Sequence, residues 1–236
     1  MSDIHELEEY VRRRTMKFIR RHWYNIGGVI AIVAIACLLI FWKQMEILVR
    51  VQLLSFIAIL VHQFEEYGFP GGEPAIMNMA LQNSSTPDRY PLNQNSAMIT
   101  NVLVSYIVYL LPVFFPHIIW LGLAPILMGM AQFIVHGIAT NIKMKSIYNP
   151  GLGAVVFLHF PIGIYYIWYI ISNRLVQGTD WLLGIFYLAF IAGAVVNGLT
   201  YRILAKRDSK YLFDDVEMQR FNVAEKIEHL KTGTPG

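Results

Sequence analysis

The stretch AILVHQFEEYGFPGGEP, from Ala58 to Pro74, begins as an apolar helix and ends in His62, Glu65 and Glu66. The turn-forming FPGGEP follows at once, and no arginine or lysine stands close by in sequence to neutralise the two carboxylates. His62, Glu65 and Glu66 are spaced i, i+3 and i+4, so on a helix they share one face. Followed upstream, the apolar run reaches back to Ile47. A helix rises about 1.5 Å per residue and a bilayer core is about 30 Å thick, so about 20 mostly apolar residues cross it. The run is close to that length, which makes the polar triplet the end of a membrane span.

The rest of the chain agrees. Of its 236 residues 56% are hydrophobic and only 15% charged, where a soluble domain carries about 25% charged residues. Mean hydropathy is +0.46. Six runs qualify or nearly qualify as spans: Tyr24–Trp42, Ile47–Phe64, Ala97–Phe115, Ile118–Thr140, Gly151–Ile171 and Trp181–Ile203. The expected fold is an all-α, polytopic membrane helix bundle. A basic segment (1–23) precedes the spanning domain (24–203), and a tail (204–236) follows it. Only Lys43 to Glu46 separates the first two spans, a tight hairpin. Pro112 and Pro116 mark the turn between the third and fourth.

Orientation follows from the basic residues of the short loops. The run VRRRTMKFIRRHW before span one, Lys143 and Lys145 after span four, and Arg202, Lys206, Arg207 and Lys210 after span six share one side if there are six spans. The other side keeps Lys43, Arg50 and Arg174. Both termini are therefore expected in the cytoplasm, with the protein in the cytoplasmic (inner) membrane of a bacterium. The basic run adjoins a span, so its partners are lipid headgroups rather than nucleic acid. With the apolar run after it, it is expected to be a retained helix rather than a cleaved leader, since no small-residue cleavage site follows. The single cysteine, Cys37, excludes an intrachain disulfide and reads as packing.

The segment 68–96 is the one long loop, expected on the cytoplasmic side. LQNSSTPDRYPLNQNS reads as a mobile connector by composition, or as a lid because loops beyond about 12–15 residues are often functional. In the tail, VEMQRFNVAEKIEHL suggests one short surface helix, and KTGTPG should fray. FPGGEP lacks the strand–helix context of a phosphate-binding loop. The aromatic PIGIYYIWYI, near the outer end of span five, reads as an interfacial belt.

With this topology, polar residues from five spans fall at one depth. His62, Glu65 and Glu66 end span two; Asn101 lies about one turn into span three. Gln132, His136 and Thr140 form a stripe on span four with Asn141 beside it. His159 lies about two turns into span five, and Asn197 about two turns from the end of span six. Alone, the histidines and asparagines read as interhelical hydrogen-bonding groups, and Glu65 and Glu66 as ordinary interfacial carboxylates. Together they predict a polar cavity, because ionisable groups within spans face the bundle interior or a wet cavity. Imidazole and carboxylate suit a divalent metal such as zinc, iron or manganese. The candidate ligands are His62, Glu65, Glu66, His136 and His159. Glu65, Glu66, Asn101, Asn141 and Asn197 are the candidate catalytic and orienting groups. The expected activity is metal-dependent hydrolysis or oxidoreduction of a lipid or membrane-embedded substrate, with a bound water activated by the metal. A proton-coupled transporter, or an ion- or small-molecule-binding protein without catalysis, is the alternative; no internal repeat of the kind common in transporters is visible.

The segment HQFEEYGFPGG resembles the HXXEE-domain family. FIVHGIATNIKMKSIYNPGL is similar to that family's later block, with a histidine, an asparagine and a Tyr-x-Pro-Gly turn. The likeness covers about residues 48–200 and implies a polytopic membrane protein whose motif is His62, Glu65 and Glu66; it implies no settled reaction. A weaker likeness, to the intramembrane CAAX-protease and bacteriocin-processing family, rests on Glu65 with Glu66, Phe133 with His136, and His159 or Asn141. No arginine follows Glu66 at that family's spacing, and His136 to Asn141 is longer than its His–Asn interval.

Overall fold

The computed structural model describes residues 2–232, and side chains from residue 4 onward. Most of the segment expected to fray, 233–236, lies outside the described residues. Six helices are long and apolar enough to cross a membrane: Ile4–Ile40, Ile47–Tyr67, Gln94–Phe114, Ile119–Met144, Leu152–Ser172 and Gly178–Ile203. They are called spans one to six. The protein is an all-helical membrane bundle, with no strand among the described residues. Span one differs from expectation at its start. Its helix begins at Ser2, so the basic segment is not a separate arm but a continuation of the span.

Between helices in lipid, water gives little drive to association, so close backbone approach through small residues takes its place. In the hairpin of spans one and two, a Cβ on Gly27 or Gly28 would meet Leu60 at 3.4 Å and Phe64 at 3.3 Å. Span two is the most buried of the six and forms the axis of the bundle. It ends where Gly68 and Phe69 both donate to the Phe64 carbonyl, and Gly71 donates to that of Glu65.

Four spans contain wide, π-helical turns, at Val104–Tyr109, Ile134–Thr140, Val155–His159 and Ile191–Ile203. The first and third stand just before Pro112 and Pro161, where a missing N–H breaks the regular ladder. The second and fourth contain Gly137 and Gly193. Such turns are rare and are often found at functional sites. Here they carry His136, His159 and Asn197.

The loop 68–96 is folded, which corrects its reading as a mobile connector. Residues 73–81 are helical, and Ala75, Ile76 and Asn78 are fully buried. The Asn78 side chain donates to the carbonyls of Pro87 and Leu92 and accepts from the Leu92 N–H, closing the loop on itself. Asn93 then caps span three by accepting from the Asn95 and Ser96 N–H groups, and its amide donates to Leu204 at the end of span six. Asn78 and Asn93 therefore spend their polar groups on internal hydrogen bonds, while Gln82, Asn83 and Ser85 remain exposed.

The tail straps this cap to the bundle. Phe213 donates to the Asp88 carbonyl, Gln94 to that of Tyr211, and Arg21 of span one bonds Asp214. This last pair puts the start of span one and the tail at the same end of the bundle. The expected single tail helix is two, Asp215–Gln219 and Val223–Thr232. They part at Phe221 and Asn222, whose φ values are 60° and 51°. The break lets Arg220 reach the Tyr67 carbonyl and seats Phe221 against Gly72. A Cβ on Gly72 would lie 2.8 Å from that of Phe221.

Candidate metal centre

Span two brings two titratable side chains to one point. His62 and Glu66 are one helical turn apart and almost fully buried. Span four adds His136 from its wide turn. The Nε2 atoms of His62 and His136 each lie 3.2 Å from the same carboxylate oxygen, Glu66 Oε1. Ligand atoms of these three side chains all lie within 4.8 Å of one another, the one such group of three among the described residues.

The outer nitrogens fix the tautomers. His62 Nδ1 is 3.1 Å from the Gly151 carbonyl, which only accepts, so Nδ1 carries the proton. His136 Nδ1 is 2.8 Å from Asn149 Oδ1. The Asn149 amide donates to the His136 carbonyl and to Asn141 Oδ1, so its oxygen must face the imidazole and accept. In neutral rings both Nε2 atoms then turn lone pairs toward Glu66. The His62 Nε2 has no hydrogen bond of acceptable geometry despite its closeness to the carboxylate. Three lone-pair atoms facing each other in a buried site repel unless a cation lies among them: a metal ion, or an added proton on one imidazole. Histidines with Nδ1–H held by a carbonyl or amide oxygen, and Nε2 presented inward, are the usual form of a metal ligand pair.

Gly151 makes this possible. Its φ is 100°, a conformation open to glycine. A Cβ there would lie 2.6 Å from His136 Cε1 and 3.0 Å from His62 Cε1.

The other expected site residues fall around this point. Glu65 turns away from it. It accepts from the Tyr148 hydroxyl at 2.8 Å and from the N–H groups of Gly153 and Ala154 at 3.0 and 2.7 Å. It thus caps the N-terminus of span five, whose unpaired N–H groups favour a negative charge. Burial, and then the bond to Glu65, hold the Tyr148 hydroxyl well above the usual phenol range. His159 packs beside His62, ring centres 5.6 Å apart, without joining the three-ligand group. Its ring sits where a side chain on Gly129 would be, 2.2 Å from the would-be Cβ. Asn141 braces Asn149 and so His136. Asn101 accepts from the Gln63 amide through both its carbonyl and its side chain. Asn197 donates to the Ala192 carbonyl one wide turn back.

A cavity of about 680 Å³ opens beside the three-ligand group. His62, Glu66, His136, Asn101, Gln132 and Asn197 line it; Glu65, Asn141 and His159 do not. Glu73, from the folded loop, also lines it and is 6% exposed. Burial, then the charge of Glu66, raise the Glu73 carboxyl to about 8. Sequence reading missed Glu73 and Asn149. Both stand in stretches already conspicuous, FPGGEP and YNPG, but a loop residue gives no periodicity from which to infer the direction of its side chain.

Residues 53–166 match the family model described as "Protein of unknown function with HXXEE motif". The match takes in the motif and the later block but stops in span five, short of the 48–200 expected, so Asn197 lies outside it. No curated protein and no solved structure matches. The chain is a membrane-spanning helical protein whose residues 53–166 match the HXXEE family model, and His62, Glu65 and Glu66 spell that motif within the match.

Proposed function

We propose that His62, Glu66 and His136 hold a divalent metal, and that the protein is a membrane metalloenzyme acting on a lipid or membrane-embedded substrate. The carrying observation is the convergence of two Nε2 atoms, with Nδ1 hydrogen-bonded outward on each ring, on one carboxylate oxygen. Two histidines and a carboxylate suit zinc, iron or manganese. When bound, such a metal polarises a substrate oxygen or lowers the pKa of a bound water. The protein's own part is then to keep the ligands oriented through Gly151 and Asn149, and to exclude bulk water with the folded loop. Glu73 supplies a carboxyl in the same cavity with a titration point suited to proton transfer near neutral pH. Asn101 and Asn197 offer amides to a substrate. The basic residues at the start of span one and the ends of spans four and six support a cytoplasmic placing of this side and of both termini, as in a bacterial inner membrane; reporter fusions at either end test that.

The test of the metal is elemental analysis of the purified chain with zinc, iron and manganese titrations. Bound metal, or micromolar affinity lost in His136→Ala, supports the reading. No metal and no affinity for any of the three removes it.

A second reading, proton-coupled transport, has its own observation. Gln52 and Ser55 continue the His62 and Glu66 face of span two toward the far side of the membrane. Ser55, Tyr109 and His159 leave buried polar atoms without a hydrogen-bond partner. Proteoliposome flux that disappears in Glu66→Gln favours this reading over catalysis.

A further inference from the structure

The cavity beside the three-ligand group is not evenly walled. Spans four and six pack together in the half of the membrane away from the site, where Trp120 meets Tyr187 at 5.8 Å and Gly184 seats Leu123. In the half that carries the site they separate, and span six leans on span three instead, through the Thr100–Thr200 hydrogen bond of 2.5 Å. The cavity fills the gap. Val135 of span four and Asn197 of span six line it, and both are exposed on the flank of the bundle. Ile134 and Ile138, 62% and 46% exposed, mark that flank as lipid-facing.

The chemistry of the walls changes along the cavity. Its deepest part, about one turn beyond His62, Asn101, Gln132 and Thr200, is an apolar wall of Ile59, Val104, Met128 and Val196, and the polar groups of the site come next. Past the end of span six, Arg207 lines the cavity with Ser84 and Ser85 of the folded loop. The exposed Arg207 guanidinium donates to Ser85 Oγ at 3.3 Å and lies over the Tyr90 ring at 4.5 Å, which orient it at the mouth. A guanidinium fork beside hydroxyl donors is suited to a phosphate-type anion.

We propose that the cavity binds an amphiphile with an anionic, phosphate-type head, entering sideways from the bilayer between spans four and six. The chain lies along the apolar wall and the head meets Arg207, Ser84 and Ser85. This names the substrate class for the proposed metal site, and so rests on that reading for its catalytic meaning but not for binding.

The experiment uses the full chain in phosphatidylcholine nanodiscs. The probes are dihexanoyl phosphatidic acid, dihexanoyl phosphatidylcholine and inorganic phosphate, with binding followed by calorimetry. Zinc is titrated into the same samples. The expected result is saturation by the phosphatidic acid alone, weakened about tenfold in Arg207→Ala, which is about 1.4 kcal/mol, and partly restored in Arg207→Lys. Val196→Trp, which fills the gap, abolishes this binding while zinc affinity and folding persist. Absence of saturation overturns the proposal, as does binding that survives Arg207→Ala. Equal binding of inorganic phosphate overturns the amphiphile and leaves a free-anion site. Zinc binding without lipid binding defeats this proposal alone; lipid binding without zinc binding defeats the metal reading alone.

Discussion

His62 and His136 stand edge to face, ring centres 4.9 Å apart and planes at 87°, with both Nε2 atoms 3.2 Å from one oxygen of Glu66. The arrangement joins two elements 74 positions apart, from His62 to His136, at one point in the membrane. Removing any one of the three takes away a ligand. His62→Ala, His136→Ala and Glu66→Gln are each expected to weaken zinc binding by more than the roughly 10–100-fold usual for an outer partner. A competition titration with a chromophoric chelator reads this directly; unchanged affinity in any of the three contradicts the assignment.

Asn149 has the outer role. It touches no candidate metal position, but it accepts the His136 Nδ1–H at 2.8 Å and is braced by Asn141. Asn149→Ala frees the imidazole to rotate or change tautomer. Zinc affinity should fall about 10–100-fold, with the fold retained by circular dichroism. Asn149→Asp keeps an acceptor there and should recover part of the loss.

The two carboxylates of the motif should separate cleanly in experiment. Glu65 is satisfied by the first N–H groups of span five and by Tyr148, so Glu65→Gln should cost about 1–2 kcal/mol of stability, as for a lost helix cap. It should leave zinc affinity nearly unchanged. Glu66→Gln should do the reverse. The pair is measured by zinc titration and by detergent-titrated unfolding; a Glu65 variant that loses the metal would place Glu65 among its ligands.

What the sequence made legible, and what it did not, divides along the same line. Spans were legible because apolar length answers directly to bilayer thickness, and the pairing of His62 with Glu66 because i, i+4 neighbours on a helix must meet. The meeting with His136 was legible only as shared depth. Nothing in spacing could show that Glu65, one residue from Glu66, turns about 100° around the helix to cap another span. The wide turns of spans three to six were also hidden. They shift the faces of His136 and Asn197 relative to a regular helix, and neither of the turns carrying those two residues contains a proline to announce it. The loop 68–96 misled by composition, since Asn78, Asn93 and Ser96 are buried and spend their polar groups on the loop's own backbone and the cap of span three.

Gly151 ties backbone to site. It adopts φ 100° and its missing Cβ leaves room for both imidazoles. Gly151→Ala should destabilise by at least about 1–2 kcal/mol from the left-handed backbone alone, and should also displace His62 or His136 and weaken zinc binding. Gly178→Ala is the control, since nothing lies within 4 Å of a Cβ there. Equal behaviour of the two variants would deny Gly151 its place in the site.

Glu73 gives the metal-free protein a pH signature. Burial and the charge of Glu66 raise its carboxyl from 4.5 to about 8 in the folded state. Between these values the folded chain keeps a proton that the unfolded chain has lost. Stability from this group is therefore full below pH 4.5 and lost as pH rises through about 8, with a slope of up to about 1.4 kcal/mol per pH unit. Glu73→Gln, which stays neutral, should flatten that slope. Saturating zinc should shrink it too, because a cation beside Glu66 offsets the negative charge that helps hold the proton on Glu73. Detergent-titrated unfolding from pH 5 to pH 9, with and without zinc, checks both. A slope unchanged in Glu73→Gln would assign the effect to another group, and one insensitive to zinc would place the metal away from Glu66.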